Sequence, residues 1–244
     1  MKPEASTSPA ARSAGGFIRR RWWMVIPLGA LILLAALHGY GQYLAAPHPE
    51  RFDPGVVTQG PVLDALQQRP PAVAYRSDFQ LQRHGATCGP ASLRNVLASL
   101  GRPPAGERAV FGDDTSGWWR ARLLGMTLDE LAALAEATGI GRVRVWRDPD
   151  PVAWRALLAS LDTPGRRLIV NFDRAPLHGV AIGHFSPVAG YDPVGDRVLL
   201  LDVTPGFGAQ LIPSERLRAA INTRDPVSGR QRGALQIDAA APPP

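Results

Sequence analysis

Two periodicities divide this chain of 244 residues. Between residues 93 and 161 apolar side chains recur at helical spacing, whereas "RRLIVNFD", "GHFSPVAGYD" and "DRVLLLDV" are short β-branched or apolar runs separated by turn residues. Helices first and strands afterwards predict an α+β fold, with a helical lobe and an antiparallel sheet lobe. Leu93, Val96, Leu97 and Leu100 mark one helical face, stopped by Gly101 and Pro103 and begun near Pro90. In "GMTLDELAALAEATGIG", Thr127 reads as an N-cap with Glu130 as its capping-box partner, and Gly139 reads as the stop. Another helix is expected over residues 152–161. With 45% hydrophobic residues the chain can build one substantial core.

The net charge of +6 suggests nucleic acid only until it is divided along the chain. Lys2, Arg12, Arg19, Arg20 and Arg21 against Glu4 put +4 into residues 1–21, which leaves +2 for everything else. No nucleic-acid partner is therefore expected. Residues 22–46 carry no formal charge and follow an arginine triplet, the pattern of a transmembrane anchor or a secretory signal. Residues 1–21 are then a basic cytoplasmic tail, 22–46 an N-terminal transmembrane helix or signal, and 47–73 a Pro-rich linker with one short helix around residues 62–68. A folded domain follows over residues 74–238, and 239–244 form a disordered tail. The domain is expected outside the cytoplasm, in the periplasm on a single-pass inner-membrane anchor, or free there after signal cleavage.

The stretch "GATCGPASL" holds the only cysteine, Cys88, at or just before the start of a helix. A lone cysteine can be an inert buried thiol. At a helix N-terminus, however, the partial positive charge of unpaired backbone N–H groups stabilises thiolate and favours a nucleophile. Those N–H groups, with a polar side chain such as Gln82, can also hold an oxyanion. A thiolate that expels an amine needs an acid to protonate it, and histidine serves near neutral pH. His38 lies in the uncharged run, His48 in the linker, His84 beside the cysteine and His178 in a loop. His184 alone lies in a strand-like run. If the loop "DPVGD" centres near Val194, Gly190 faces Val198 and Ser186 faces Asp202, so that His184 becomes a diagonal neighbour of Asp202. A one-residue slip would send that carboxylate to the other face. Cys88, His184 and Asp202 in this chain order make a papain-like arrangement of nucleophile, base and orienting group.

At these residues the chain resembles the phytochelatin synthases, the glutathione γ-glutamylcysteinyltransferases. The likeness spans roughly residues 75–238 and rests on "QRHGATCGPASL", on "NFDRAPLHGVAIGHFSPVAGYDPVGDRVLLLDV" and on "DPVSGRQRGALQI". It implies a papain-like cysteine peptidase fold, Cys88 as nucleophile, His184 as acid and base, Asp202 as its orienter and Gln82 as oxyanion donor. It further implies that glutathione is the substrate, that a γ-glutamylcysteinyl thioester forms with release of glycine, and that the acyl group passes to a second glutathione or to water. In this resemblance Gly183 lines the acyl site, Asp225 receives the γ-glutamyl amino group, Arg232 takes its α-carboxylate, and Arg174 has a structural or substrate-facing role. Read without the resemblance, Asp225 and Arg232 are ordinary exposed loop charges. Thr87 and Pro205 depart from the family's pattern at positions bordering the second-substrate region, which moves the expectation from chain extension toward hydrolysis. With one cysteine and scattered histidines no protein metal site and no cofactor are expected. Cadmium or zinc would arrive as a metal-thiolate complex of the substrate. Two other readings stand beside this one: a papain-like peptidase of different specificity, such as one cleaving Gly-containing leader peptides, and a catalytically silent thiol or metal-glutathione binding module.

Overall fold

The computed structural model describes residues 29–37, 39–41, 43 and 46–240. The chain divides into two compact units, residues 1–44 and 45–244. In the first, residues 29–37 and 39–41 are helical, and Leu31, Ile32, Leu33, Leu34 and Leu37 are exposed. No helix among the described residues is long and apolar enough to cross a membrane, so the anchor expected over residues 22–46 finds no support there. Within that stretch, residues 22–28, 38, 42, 44 and 45 lie outside the described residues, as does the basic tail.

The second unit is built on six strands: β1 (Gly141–Trp146), β2 (Arg166–Asp173), β3 (Gly183–Asp192), β4 (Arg197–Leu201), β5 (Ala209–Pro213) and β6 (Gly233–Ala239). They pair antiparallel throughout in the order β1-β6-β2-β3-β4-β5. Alternation along β2 sends Ile169 into one core and Leu168, Val170 and Phe172 into another. A strand buried on both faces reads as a nearly continuous apolar run, which is the character of "LIVNF" with its single amide.

The first core receives the helices α1 (Pro61–Gln67), α2 (Pro70–Arg76), α3 (Cys88–Ser99), α4 (Thr115–Leu124) and α5 (Leu128–Ala137). The second receives α6 (Pro151–Ala159) and, beyond the one-turn α7 (Ala175–His178), α8 (Ser214–Ile221). The expected separation into a helical and a sheet lobe therefore needs an amendment. Trp154, Leu157 and Leu158 of α6 and Leu217, Ala220 and Ile221 of α8 cover the second face of the sheet, because both faces of β2 and β3 are apolar and need a cover. The capping box at α5 forms as expected: Thr127 Oγ1 accepts from the Glu130 N–H at 3.3 Å, and Glu130 Oε2 accepts from the Thr127 N–H at 2.8 Å.

The segment expected to be a linker is folded. Residues 61–67 and 70–76 are helical, and Leu63, Leu66, Ala72 and Tyr75 are each at most 5% exposed within the first core. Its prolines start helices rather than break them: Pro61 and Pro70 each stand in a first turn, where the missing N–H costs nothing. Val57 pairs with Leu211 in a β-bridge, which ties the chain ahead of α1 to β5. At the other end, Ala239 belongs to β6 rather than to a tail, and residues 241–244 lie outside the described residues.

The hairpin that positions the site turns one residue away from the expected register. Asp192 pairs with Arg197, Tyr191 with Val198 and Gly190 with Leu199, and then Val188 pairs with Leu200 across a β-bulge. That single extra residue restores the pairing under which Ser186 lies opposite Asp202. The turn is off by one, and the bulge corrects it before the site is reached.

Candidate active site

Helix α3 begins at Cys88 itself. Thr87 does not cap it by a side-chain bond; its hydroxyl instead donates to His84 O at 2.9 Å, closing the turn that delivers the cysteine. Gly89 leaves room for Phe185, Leu131 and Met126 to pack against the first turn, since an added Cβ there would already touch all three. Helix α3 thus lies on β3 with its N-terminus beside Phe185 and His184. From there His184 and the backbone of Phe185 act on the Cys88 thiol. Cys88 is 9% exposed and His184 4%.

Burial pushes the Cys88 thiol up, but the charge and hydrogen bond of His184, the Phe185 N–H and the charge of Arg174 outweigh it and hold the thiol below its ordinary value. For His184, burial and Arg174 act to lower the pKa, yet Asp202 and Cys88 raise it above the ordinary imidazole value. Shifts in these opposite directions favour proton transfer from the thiol to the imidazole.

Asp202 is wholly buried just past the end of β4. Its Oδ1 lies 3.0 Å from His184 Nε2 and accepts from the Thr204 N–H at 2.8 Å. Arg174 Nη2 donates to both carboxylate oxygens, at 2.8 and 2.7 Å. Burial works to raise the Asp202 pKa, but His184, Arg174 and the Thr204 N–H hold it well below the usual carboxylate range. An ionised Asp202 requires the proton on Nε2, which leaves Nδ1 for the sulfur. Arg174, 4% exposed and 3.8 Å from the Phe207 ring centroid, is therefore a counter-charge for the orienting carboxylate.

Gln82 lies in the same pocket with its amide turned to its own loop. Nε2 donates to His84 O at 3.1 Å and to Gly85 O at 3.3 Å, while Oε1 accepts from Thr204 Oγ1 at 3.4 Å. In the first turn of α3 the N–H groups of Cys88 and Gly89 have no partner four residues back within the helix.

The loop charges that the sequence alone makes exposed are buried: Asp225 is 8% exposed and Arg232 6%. Arg232 Nη1 lies 3.6 Å from Asp225 Oδ1 and donates to Asn171 Oδ1 at 3.2 Å, and its buried Nε has no partner. Asp225 Oδ2 accepts from the Ser228 hydroxyl at 2.6 Å and the Ser228 N–H at 3.1 Å. Burial acts to raise the Asp225 pKa, but these donors, the Val227 N–H and Arg232 keep it below the ordinary value. The guanidinium of Arg232 packs on Gly183, the residue before His184, so closely that a Cβ at Gly183 would run into it. An opposite-sign pair thus stands immediately beside the acid–base residue.

All eight residues singled out in the sequence fall into these two adjoining groups. Asn171 and Thr204 were missed. The first carries a signal, an amide inside an apolar strand; the second carries none. Among the described residues no group of three or more His, Cys, Asp or Glu side chains could hold a metal ion.

Residues 62–234 match the family described as phytochelatin synthase. The chain is 32% identical over 173 residues to glutathione gamma-glutamylcysteinyltransferase 3 of Lotus japonicus and 28% identical over 180 residues to glutathione gamma-glutamylcysteinyltransferase 2 of Arabidopsis thaliana. Each match covers 66% of this chain but only 36% and 38% of the relative, so the chain spans little more than a third of the length of these curated relatives. Among solved structures, the peptidase domain of Streptococcus ComA, a bi-functional ABC transporter, aligns at a TM-score of 0.45 with 16% identity, over 66% of this chain and 97% of that one.

Proposed function

Because the chain belongs to the phytochelatin synthase family, we propose that it is a thiol acyltransferase of papain-like type acting on glutathione. The observation that carries this reading is the buried Cys88–His184–Asp202 network, with a thiol held down and an imidazole held up. The Cys88 thiolate attacks the carbonyl of the cysteinyl–glycine bond. His184 gives its Nδ1 proton to the departing glycine nitrogen as the C–N bond breaks, leaving a γ-glutamylcysteinyl thioester on sulfur. Neutral His184 then takes a proton from water or from the amino group of a second glutathione as that nucleophile displaces the thiolate. Free γ-glutamylcysteine or an extended peptide results.

The γ-glutamyl head is a zwitterion. Arg232 suits its α-carboxylate, by the fork geometry of a guanidinium, and Asp225 suits its ammonium. Cadmium or zinc enters as a thiolate complex of the substrate rather than as a resident of the protein. The arginine triplet ahead of an uncharged run supports export of the domain, and detoxification of metal or turnover of exported glutathione are the roles that follow.

Incubating the purified chain with glutathione, with and without Cd²⁺ or Zn²⁺, tests the reading. Glycine release matched by γ-glutamylcysteine or by longer peptides is expected. Intact glutathione after many hours would send the assignment to a peptidase of other specificity or to a silent binding module.

A further inference from the structure

Thr204 is 8% exposed, and its hydroxyl stands among three groups of the active site. Arg174 Nη2 donates to Oγ1 at 2.8 Å. Gln82 Oε1 lies 3.4 Å away and His184 Nε2 3.5 Å away. The Thr204 N–H is bound to Asp202 Oδ1, and the Gln82 N–H donates to Val203 O at 2.7 Å, so backbone bonds hold the two segments together.

A hydroxyl has one proton to give, and here its destination is determined. Arginine is only a donor, so it takes a lone pair. Nε2 of His184 carries a proton because it faces an ionised Asp202 at 3.0 Å, so it too can only donate. The remaining neighbour, Gln82 Oε1, is only an acceptor. The Thr204 proton therefore goes to Gln82, completing a chain from Arg174 through Thr204 to the amide. Turning that amide over would set Oε1 against the carbonyls of His84 and Gly85 and leave the hydroxyl proton without an acceptor. With the carbonyl end held, Nε2 stays on the side of the chain that runs through His84 and Gly85 into Cys88. One of its two bonds to those carbonyls can then be exchanged for a developing oxyanion.

We propose that Thr204 is a positioning residue for the acylation step: its hydroxyl fixes the orientation of the Gln82 amide and ties it to the Arg174–Asp202 pair behind His184. This rests on the acyltransferase reading for the role of Gln82, although the geometry of the hydroxyl does not. The effect falls on the transition state, where the oxyanion exists, and spares the binding of the γ-glutamyl head at Asp225 and Arg232.

The test compares Thr204→Val, which keeps the shape and loses the hydroxyl, with Thr204→Ser, which keeps the hydroxyl and loses the methyl. With glycine release as the assay, Thr204→Val should lower kcat about 10–100-fold with KM within about 2-fold of wild type, and Thr204→Ser should recover most of the rate. The pH midpoint for alkylation of Cys88 by iodoacetamide should also rise in the valine variant and return in the serine variant, because the hydroxyl oxygen accepts from Arg174 and faces His184 Nε2, the two groups whose charge favours the thiolate. That second readout needs no substrate. A wild-type chain that releases no glycine would defeat the acyltransferase reading while the alkylation midpoints still judged Thr204. Wild-type kcat and midpoint in Thr204→Val, or equal loss in the serine and valine variants, would overturn the proposal, the latter by showing that the methyl group is what matters.

Discussion

Two histidines are buried on this sheet unit, and the difference between their surroundings separates a packing residue from a chemical one. His178, 2% exposed, sits in the one-turn α7 with its ring edge-on to Phe52 at 4.8 Å and Phe207 at 5.1 Å, and its Nε2 meets the neutral amide of Gln210 at 2.9 Å. His184, 4% exposed, also meets an aromatic ring edge-on, Phe172 at 5.5 Å, but its Nε2 meets the carboxylate of Asp202 and the Cys88 thiol adds a second acidic neighbour. Burial pushes His178 down to about 4, with Gln210 too weak to offset it. Burial acts on His184 in the same sense, and there Asp202 and Cys88 reverse it. Comparable burial thus leaves one ring harder to protonate than a free imidazole and the other easier. What decides is whether a charged partner shares the pocket.

The largest loss is expected at Cys88. Cys88→Ser removes both the nucleophile and one of the two charges that raise His184; glycine release should fall to the level of the buffer control, and the His184 ring should titrate lower by NMR. Asp202→Asn turns the His184 pocket into something like that of His178, an imidazole facing an amide. A kcat loss of about 100-fold or more is expected, along with a lowered midpoint for the basic limb of the pH–rate profile.

His178 supplies the opposite sign. Its folded-state pKa is about 4 and its unfolded value is near 6.5, so the unfolded chain binds the extra proton and stability should fall as pH drops through that window. The loss amounts to about 3 kcal/mol by pH 4, and urea melts of His178→Asn across that range should lack this slope. His184, whose pKa is raised, works the other way, adding stability that is lost as pH rises through its folded value. Outside both histidine pockets, Arg232→Ala should raise KM for glutathione by about 10–100-fold, the equivalent of one charged hydrogen bond, with little change in kcat. A fall in kcat instead would place Arg232 with the chemistry of His184 rather than with recognition.

Much of this arrangement is legible in the sequence, for local reasons. Helix starts announce themselves through nearby residues: Thr127 with Glu130, and Cys88 with Pro90 close behind. β2 and β3 are largely apolar runs, interrupted by Asn171 in the first and by His184 and Ser186 in the second, and their expected bounds are those observed. β1 alternates Arg142 and Arg144 with Val143 and Val145, a clear period of two that is masked by its brevity between two helices. α8 and β5 carry no such signal, because their register is set by the cores they complete, whereas α4 does carry one in its N-cap Asp114. The linker reading failed because proline marks both chain breaks and first helical turns, and only packing distinguishes them. At the site, residue types and order point to Cys88, His184 and Asp202, and the fold sets His184 against Asp202. The burial of Asp225 and Arg232, the use of Arg174 as a counter-charge and the bulge that corrects the hairpin all depend on contacts between distant segments.

The central claim is that the thiolate made by His184 and Asp202 becomes an acyl carrier. Wild-type protein mixed with excess glutathione, quenched in acid within the first turnover and digested, reports on this directly through the mass of the peptide containing Cys88. A γ-glutamylcysteinyl adduct on Cys88, removable by hydroxylamine and formed with one glycine released per adduct, is the predicted result. Glycine accumulating while Cys88 stays unmodified at every quench time would contradict it.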